Sequence, residues 1–447
     1  MKILDNPGQC CGCGACANVC PVPCIAMREN EEGFLYPSVD SAKCVGCGLC
    51  EKVCIALNAP ALSRPAAATS HGTGATSAAN IGAYAVRTLD ESIRRNSSSG
   101  GAFYELARET IRRGGCVFGV TMSDSLSEAV FVKAETEPEL FRLMTSKYIQ
   151  ANVGSAYQEA KAELECGREV LFSGTPCQIN GLKLYLQKDY DGLCCVDLIC
   201  HGVPSPKVWR WYLDEFQYAH KAVVTNINFR CKESSWKDFC LHYDTQSGNN
   251  VSRVYLSQQA DPYFQLFLGN LSLRPSCYHC VSKGCRLTDL TIGDFWGIEH
   301  ILPEMDDGDG TSVVLVRSEK GRQLFQCIQG RLRCAEVSYR DSVRYNRTEW
   351  ASVRRPWLRG AFFRELNAMS FRKVSRKYIL LLQLSPCQYA KKVPKSLLRR
   401  IWNKMPAGGG AKQAFRYGLL IEFTHESYPL FHPYDHSESG MRHATRN

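Results

Sequence analysis

Two cysteine runs near the start of the chain constrain the fold more than any other feature of the sequence. The first run follows the spacing C-x2-C-x2-C-x3-C and consists of Cys10, Cys13, Cys16 and Cys20. The same spacing recurs in a second run of Cys44, Cys47, Cys50 and Cys54. Three thiolates at successive intervals of three residues can each bind a different iron of one cubane, whereas tetrahedral zinc commonly takes two separated pairs. The two runs therefore predict two [4Fe–4S] clusters.

In two-cluster ferredoxins with this spacing, the fourth cysteine of each run binds the other cluster. One cluster is expected on Cys10, Cys13, Cys16 and Cys54. The second is expected on Cys44, Cys47, Cys50 and Cys20. A zinc site or simple thiol clustering is the alternative, and Ile55 stands where a proline commonly follows the last cysteine. Cys11 and Cys24 fall outside the spacing and are expected to be bystanders.

The remaining thiols bear on the compartment in which the protein works. The chain has 24 cysteines among 447 residues, which in a small secreted domain would indicate disulfides. It begins MKILDNPGQCC, which is not the apolar stretch of a secretory leader. No segment approaches the roughly 18 apolar residues of a membrane span. We therefore expect a cytoplasmic protein with reduced thiols, in which clustered cysteines bind metal.

The positive charge is concentrated at the C-terminal end. Residues 351–447 hold 18 Lys and Arg against 5 Asp and Glu, and FRKVSRKYILLLQL places four cations before an apolar run. Such a region can fold back on the main domain with its charges in solvent. It can also contact an anionic membrane from the inner face, or dock on an acidic electron-transfer protein. Nucleic acid is not expected as a partner, because the cysteine-rich domains lack this charge.

Composition and periodicity divide the chain into four regions. Residues 1–59 are predicted to form a small ferredoxin-like two-cluster domain, and residues 60–80, rich in Ala, Ser, Thr, Gly and Pro, a flexible linker. Residues 81–345 alternate apolar strands with amphipathic helices, which predicts a mixed α/β domain with largely parallel pairing. A more strand-rich part is expected between residues 225 and 256. Residues 346–447 are the basic, helical C-terminal region.

Several short motifs of the larger domain lie at strand ends, where α/β folds place their chemistry. SSSGGAF at residues 97–103 opens a helix, and its N–H groups could hold a phosphate, although a helix cap explains the loop nearly as well. Four cysteines follow in the segments FSGTPCQ, ICHG and RPSCYHC, and the turn IGDFWG covers residues 292–297. A CxxC pair with two cysteines at strand ends could form a third four-thiolate site. Zinc or buried apolar thiols are the alternatives.

In this order the motifs, together with SKY at residues 146–148, resemble the coenzyme F-420 hydrogenase/dehydrogenase beta subunit family over roughly residues 80–345. The fused ferredoxin domain is similar to that of longer relatives such as 7-hydroxymethyl chlorophyll a reductase. The resemblance implies an FAD and a further [4Fe–4S] cluster. By position, the ligands of that cluster would be Cys177, Cys200, Cys277 and Cys280. The residues near the flavin would be Ser99, Gly100, Gly101 and Lys147.

Two of these positions are candidate catalytic residues. Lys147 could act as a cation beside the flavin pyrophosphate or the reduced ring, and a solvated lysine is the alternative. His201 follows a proposed ligand and could orient it or deliver a proton, although a satisfied core histidine explains it as well. The other cysteines of the domain are expected to be packing residues: Cys194, Cys195, Cys231, Cys240, Cys285, Cys327 and Cys334.

A flavin can exchange a hydride or single electrons, whereas iron–sulfur clusters carry single electrons. The sequence thus predicts an iron–sulfur flavoprotein oxidoreductase that converts between the two. Its partners would be a single-electron carrier or redox protein and a small-molecule hydride partner, either coenzyme F-420 or another organic substrate. A non-catalytic electron-relay subunit of a larger redox complex is a second class. A zinc-rich protein that binds nucleic acid is a third, and the position of the basic charge disfavours it.

Overall fold

A computed structural model of the chain describes residues 3–62, 81–233 and 235–383. The described residues up to Tyr378 belong to one compact unit, and a second unit begins at Ile379. The α-helices are, in chain order, α1 (Ala15–Val19), α2 (Leu49–Lys52), α3 (Ile55–Leu62), α4 (Glu91–Arg95), α5 (Ala102–Arg112), α6 (Glu137–Leu143), α7 (Ala156–Glu165), α8 (Pro176–Leu186), α9 (Pro206–His220), α10 (Pro262–Leu268), α11 (Ile298–Ile301), α12 (Glu319–Ile328), α13 (Tyr339–Ser342), α14 (Arg359–Leu366) and α15 (Phe371–Gln383).

The strands form three sheets. In chain order they are β1 (Ile25–Glu29), β2 (Leu35–Val39), β3 (Gly82–Thr88), β4 (Cys116–Met122), β5 (Ala129–Ala134), β6 (Val170–Gly174), β7 (Leu193–Leu198), β8 (Val223–Cys231), β9 (Cys240–Ser247), β10 (Asn250–Ser257), β11 (Leu290–Asp294), β12 (Ser312–Val316) and β13 (Leu332–Val337). Strands β1 and β2 pair as an antiparallel hairpin in the N-terminal part. Strands β8, β9 and β10 form an antiparallel sheet, which confirms the strand-rich segment expected there.

The large sheet has the strand order β13-β3-β12-β11-β7-β6-β4-β5. This mixed α/β sheet confirms the predicted fold class, but the expectation of largely parallel pairing is wrong. Strands β4, β6, β7 and β11 pair in parallel at the centre, and the four remaining pairings are antiparallel. The short connection from β4 to β5 shows why, since a parallel return needs a crossover of a dozen or more residues.

Alternate residues of the central strands pack against helices on opposite faces of the large sheet. Leu171 of β6 shares a buried cluster with residues of α5 and α12. Its neighbour Phe172 belongs to a second cluster with Tyr157 of α7 and Leu182 of α8. This second cluster also contains Ile55 and Ala59 of α3, so the N-terminal cysteine region is packed into the same core. Helix α3 extends to Leu62, and residues 63–80 of the expected linker lie outside the described residues.

The first part of the basic C-terminal region folds onto the main body. Helices α14 and α15 bury apolar side chains, among them Phe362, Phe363, Phe371 and Tyr378. Phe363 lies 6.4 Å from Phe34 of the N-terminal part, measured between ring centroids. This packing supports the fold-back alternative for residues 351–378, while residues 384–447 lie outside the described residues. Across the described parts of the chain, no helix is both long and apolar enough to span a membrane.

Candidate metal centres and cofactor site

The two cysteine runs of the N-terminal part fold into similar loops. Two glycines in each run adopt a left-handed conformation, with φ of 70° at Gly12, 74° at Gly14, 70° at Gly46 and 71° at Gly48. Glycine takes this conformation without the steric cost of a β-carbon. A short helix follows each loop, α1 after the first and α2 after the second. The C-x-G-C-G-x-C pattern shared by the two runs thus gives both loops the same backbone conformation.

The outer cysteine group consists of Cys20, Cys44, Cys47 and Cys50, which line one cavity at the end of the N-terminal part. This is the grouping that the exchange of the fourth cysteine between runs predicts. Cys47 is exposed, and Val45 beside it is 64% exposed. Of the three cysteine groups, the outer group is therefore the one with an exposed cysteine beside an exposed apolar residue.

The inner cysteine group consists of Cys10, Cys13, Cys16 and Cys54. Burial and the proximity of Cys10 and Cys54 raise the pKa of the Cys16 thiol to about 12. Burial also raises the pKa of Cys54, and Cys10 adds to that effect. Such thiols give up their protons readily only when a bound cation compensates the thiolate charge. The chemistry of the donors therefore fits a metal group.

The third cysteine group consists of Cys177, Cys200, Cys277 and Cys280, contributed by three separate segments. Cys177 lies in the first turn of α8, directly after β6, and Cys200 follows β7. Burial raises the pKa of Cys277 above its usual range, and Cys200, Cys177 and Cys280 contribute as nearby thiols. Burial raises the pKa of Cys200 to about 11, with Cys177 and Cys280 again among its neighbours. The four thiols are thus close enough to affect one another's charge, and a common cluster on them stays a prediction.

Local sequence explains the position of Cys177. Thr175 caps α8 and forms a capping box with Gln178, and Pro176 occupies the first turn of the helix. This TPCQ sequence begins a helix where β6 ends. The Thr175 Oγ1 atom lies 3.3 Å from Cys177 Sγ. A thiolate in this position also benefits from the positive end of the helix dipole.

No three His, Cys, Asp or Glu side chains within residues 3–62, 81–233 and 235–383 have the spacing of a single-ion site. A cubane places a different demand on its ligands, because each thiolate binds a different iron at its own corner. Whether the three groups suit a cubane therefore depends on the ligands that they offer. Each group offers four thiols.

Cys11 and Cys24, which were expected to be bystanders, both lie beside the cysteine groups. Cys24 Sγ lies 3.4 Å from Cys20 Sγ and lines the same cavity. The Cys11 side chain is close enough to Cys13 of the inner group and Cys177 of the third group for both to affect its pKa. The spacing of the motif gave no sign of these contacts. They place Cys11 between two of the proposed cluster sites.

The loop that was expected to approach a flavin phosphate is packed against the large sheet. Ser99 and Gly100 are buried, and the Gly100 N–H donates to Ser312 Oγ over 2.8 Å. A β-carbon at Gly100 would lie 2.2 Å from the Val86 carbonyl oxygen. Gly101 adopts φ of 86° as the cap of α5. The helix-cap alternative accounts for Gly101, the close approach of the Val86 oxygen accounts for a glycine at position 100, and the Gly100 amide is already bound within the protein.

Lys147 lies beside this loop. The N–H of its neighbour Ser146 donates to Ser98 Oγ over 2.8 Å. The Lys147 Nζ atom donates to the backbone oxygens of Arg142 and Met144, at the C-terminal end of α6, over 2.9 and 2.5 Å. Burial lowers the pKa of Lys147 to about 7. A freely solvated lysine does not describe this amine, because it is half-buried and bound to two backbone oxygens, and a role for it at a flavin stays a prediction.

Arg230, which sequence analysis did not single out, joins three of the motifs. Its Nε donates to Ser98 O over 3.1 Å, and its Nη1 donates to the Tyr148 hydroxyl over 3.2 Å. The same Nη1 lies 2.9 Å from Asp294 Oδ2 in the IGDFWG turn. A single arginine inside the strand INFRCK has no recognisable spacing, so only the tertiary structure reveals its role.

His201 has the contacts of a core histidine. Its Nε2 atom lies 2.7 Å from Asn270 Oδ1, and its ring packs edge-on against Phe267 with centroids 5.2 Å apart. Burial lowers its pKa from the usual range. The half-buried ring follows Cys200 directly, so a role for it at the third group stays a prediction.

The cysteines expected to be packing residues fall into three classes of exposure. Cys194, Cys195, Cys240 and Cys285 are buried, and Cys231 and Cys334 are half-buried. Cys327 is exposed on α12, so the packing prediction is wrong for that residue. Its position on the solvent face of an amphipathic helix explains the difference.

Two sequence families match parts of the chain. Residues 9–56 match the 4Fe-4S dicluster domain, and residues 167–339 match the C terminus of the coenzyme F420 hydrogenase/dehydrogenase beta subunit. These matches confirm the resemblance that the motifs indicate. All four cysteines of the third group fall inside the second match. No curated protein is significantly similar to the chain.

Among solved structures, a chain of the F420-reducing [NiFe] hydrogenase complex from Methanosarcina barkeri, studied as a xenon derivative, is similar to this one. The two share 16% sequence identity, and the similarity covers 66% of this chain and 90% of the other, with a TM-score of 0.38. At this level of similarity, the description of the fold rests on the chain's own strands and helices.

Proposed function

We propose that the chain is an iron–sulfur flavoprotein oxidoreductase with three [4Fe–4S] clusters and FAD. It would couple single-electron transfer to the two-electron reduction or oxidation of coenzyme F-420 or another organic substrate. The observation that carries the proposal is the arrangement of twelve cysteines in three groups of four. The family match over residues 9–56 supports the outer and inner groups. The match over residues 167–339 supports the third.

The three groups form a sequence from the surface to the main domain. The outer group has an exposed cysteine and would meet the single-electron partner. The inner group contacts α8, because a β-carbon added at Gly181 would lie 2.9 Å from Cys13 Sγ. Helix α8 begins with Cys177 of the third group. Bound clusters would supply single-electron transfer along this sequence.

The flavin half of the proposal is supported by Lys147. A flavin would supply hydride chemistry, and Lys147 offers a desolvated amine beside the loop of residues 97–101. The amine could donate a hydrogen bond to a cofactor or carry a proton near pH 7. Tyr148 and Ser98, held by Arg230, fix the backbone on either side of it.

One observation favours the alternative of a non-catalytic relay subunit in a larger redox complex. The loop of Ser99 and Gly100 is bound to the protein's own strands, and the Gly100 N–H is not free for a phosphate. A chain that passes single electrons to a partner subunit would need no flavin of its own. The two functions differ in flavin content, not in iron content.

Anaerobic purification with metal and flavin analysis tests the proposal. Three clusters require about twelve irons and about twelve sulfides per chain, and FAD should remain bound after gel filtration. In a screen of hydride donors, the donor that the protein uses should then reduce and so bleach the flavin. Full iron without flavin would establish the relay function instead. Zinc in place of iron, with no visible absorption, would refute both.

Lys147 gives a prediction for stability against pH. Its pKa is lowered from 10.5 to about 7, so between these values the unfolded chain binds a proton that the folded chain does not. Stability therefore rises with pH across that interval, and the full cost of burial is present below pH 7. We expect Lys147→Met to unfold at higher urea concentration than the wild type at neutral pH, and the difference to vanish as the pH approaches about 10.

The matched control is Lys188→Met, which removes an exposed lysine near the Tyr190 ring. It should show no such dependence on pH. If Lys147 also binds the flavin, Lys147→Met should lose FAD although it gains stability. A stability difference that is constant from pH 6 to pH 10 would contradict the assignment.

The membrane alternative applies to the last part of the chain. Residues 384–447 carry ten Lys and Arg against four Asp and Glu. If they attach the protein to a membrane, the full chain should co-sediment with anionic vesicles at low salt and detach at high salt. A chain that ends at residue 383 should not bind but should keep its iron. Equal sedimentation with neutral vesicles would exclude charge-driven attachment.

A further inference from the structure

Four arginines are buried within the described residues, and one of them differs from the others. Arg94 is paired with Asp307, Arg230 with Asp294 and Arg359 with Glu32. The fourth, Arg274, is completely buried, and within the described ranges no carboxylate lies at ion-pair distance from it. A buried charge without a counter-charge is costly. Some other group must therefore compensate the Arg274 guanidinium.

The hydrogen bonds of Arg274 go to neutral acceptors only. Its Nε donates to the Cys10 backbone oxygen over 2.7 Å, and its Nη2 donates to the Leu35 backbone oxygen over 2.9 Å. Its Nη1 donates to Gln150 Oε1 over 2.9 Å. The Tyr36 ring covers one side at 4.3 Å from Cζ. These contacts give each guanidinium nitrogen one acceptor but leave the positive charge unpaired.

Carboxylates in the same region are already engaged. Glu32, in the turn between β1 and β2, is held by both terminal nitrogens of Arg359 over 2.8 and 2.5 Å. Arg359 is itself buried and donates to the Leu273 backbone oxygen, next to Arg274. If Glu32 paired with Arg274 instead, the buried Arg359 would therefore be left without a counter-charge.

Arg274 lies between two of the cysteine groups. It touches the loop of the inner group, since a β-carbon at Gly12 would lie 2.7 Å from Arg274 Nη1. It also precedes Cys277 of the third group by three residues, and the Cys277 N–H donates to the Arg274 oxygen over 3.0 Å. Both groups are thus within its electrostatic reach.

We propose that Arg274 is the shared counter-ion of the inner and third clusters, and that it raises the reduction potential of both. The inference rests on the proposed function, because it needs clusters at these two groups. A cubane with four thiolate ligands carries net negative charge, and its reduction by one electron adds a further negative charge. A buried cation beside it stabilises the reduced form. Arg274 does not line the cavity of the outer group.

A purely structural clamp is the competing explanation, and it predicts a different result. As a clamp, Arg274 would act through its three hydrogen bonds, and lysine could not replace it. As a counter-ion, it would act through its charge, and lysine would restore most of the effect. Reduction potentials separate the two explanations, because a clamp that leaves the clusters in place would not shift them.

The test compares Arg274→Gln and Arg274→Lys with the wild type, each purified anaerobically as the full chain. The measurements are iron content and a dithionite titration followed by electron paramagnetic resonance. We expect two of three cluster signals to move to more negative potential in Arg274→Gln, and Arg274→Lys to return most of the shift. The control is the double variant Glu32→Gln/Arg359→Met, which removes a neighbouring pair without changing net charge and should leave the potentials unchanged.

Each outcome is decisive. Loss of iron in Arg274→Gln with retention in Arg274→Lys supports the counter-ion, because charge alone then restores the clusters. Unshifted potentials in an iron-complete Arg274→Gln variant overturn it, as does equal damage in both variants. A wild type without iron would refute the proposed function, and this inference with it. An iron-complete wild type with an unaffected Arg274→Gln would refute the counter-ion alone.

Discussion

Cys177→Ser should remove about four of about twelve irons, with the matching sulfide, and leave the outer and inner clusters in place. Cys177 is contributed by the first turn of α8, whereas the other three members of the third group come from the segments after β7 and after Arg274. A serine hydroxyl is a poor ligand for iron compared with a thiolate. The third cluster would therefore lose the ligand that connects it to α8, while both N-terminal cysteine runs stay intact.

Cys194→Ser is the matched control for this loss. Cys194 is buried, whereas the four cysteines of the third group are half-buried, and it lies on β7 and belongs to none of the three groups. It should retain the full iron content, which is measured together with sulfide and the visible spectrum. A Cys177→Ser protein with wild-type iron would show that the third group does not hold a cluster. Iron loss of equal size in both variants would point to general destabilisation.

The sequence predicts best those parts of the molecule whose structure depends on the spacing of nearby residues. The C-x2-C-x2-C-x3-C runs specify loops, because intervals of three residues and the intervening glycines leave few backbone paths around a common centre. The TPCQ motif specifies a helix start for the same reason, since cap, proline and glutamine act within four residues. Such features can be predicted without knowledge of the rest of the fold.

The parts that sequence did not predict depend on contacts between distant segments. Arg274 binds a carbonyl 264 residues away at Cys10, and Arg230 binds one 132 residues away at Ser98. Neither arginine stands in a pattern of its own. The loop of residues 97–101 was ambiguous for a related reason, because a glycine required by a ligand and one required by a neighbouring strand look the same in sequence. Only the position of Val86 distinguishes them.

These long-range contacts also explain why the N-terminal part is more than a tethered electron carrier. Ile55 and Ala59 share a buried cluster with α7 and α8, and Gln150 donates to the Cys11 backbone oxygen over 2.9 Å. The inner group is thereby fixed against the main domain, not left free on a linker. Fixed distance between redox centres is what a protein needs for electron transfer at a reproducible rate. Disturbing that contact should therefore damage the inner site without altering any ligand.

Gly181→Ala should cost the inner cluster, or about four of about twelve irons, although it changes no cysteine. Gly181 lies on α8, where an added β-carbon would be 2.9 Å from both Cβ and Sγ of Cys13 and 3.0 Å from the Tyr157 hydroxyl. Cys13 is buried and cannot move away freely. Alanine is the better helix former by about 1 kcal/mol, so iron loss could not be ascribed to a weakened helix.

Gly330→Ala is the control for this substitution, because a β-carbon there would have no neighbour within 4 Å among the described residues. It should keep all its iron. Iron content, sulfide content and the electron paramagnetic resonance signals of the reduced protein would show which cluster is lost. Full occupancy of all three sites in Gly181→Ala would mean that the contact between Cys13 and α8 yields easily. In that case the contact with α8 would not be what holds the inner group, and the bonds of Gln150 and Arg274 to its loop would have to do so.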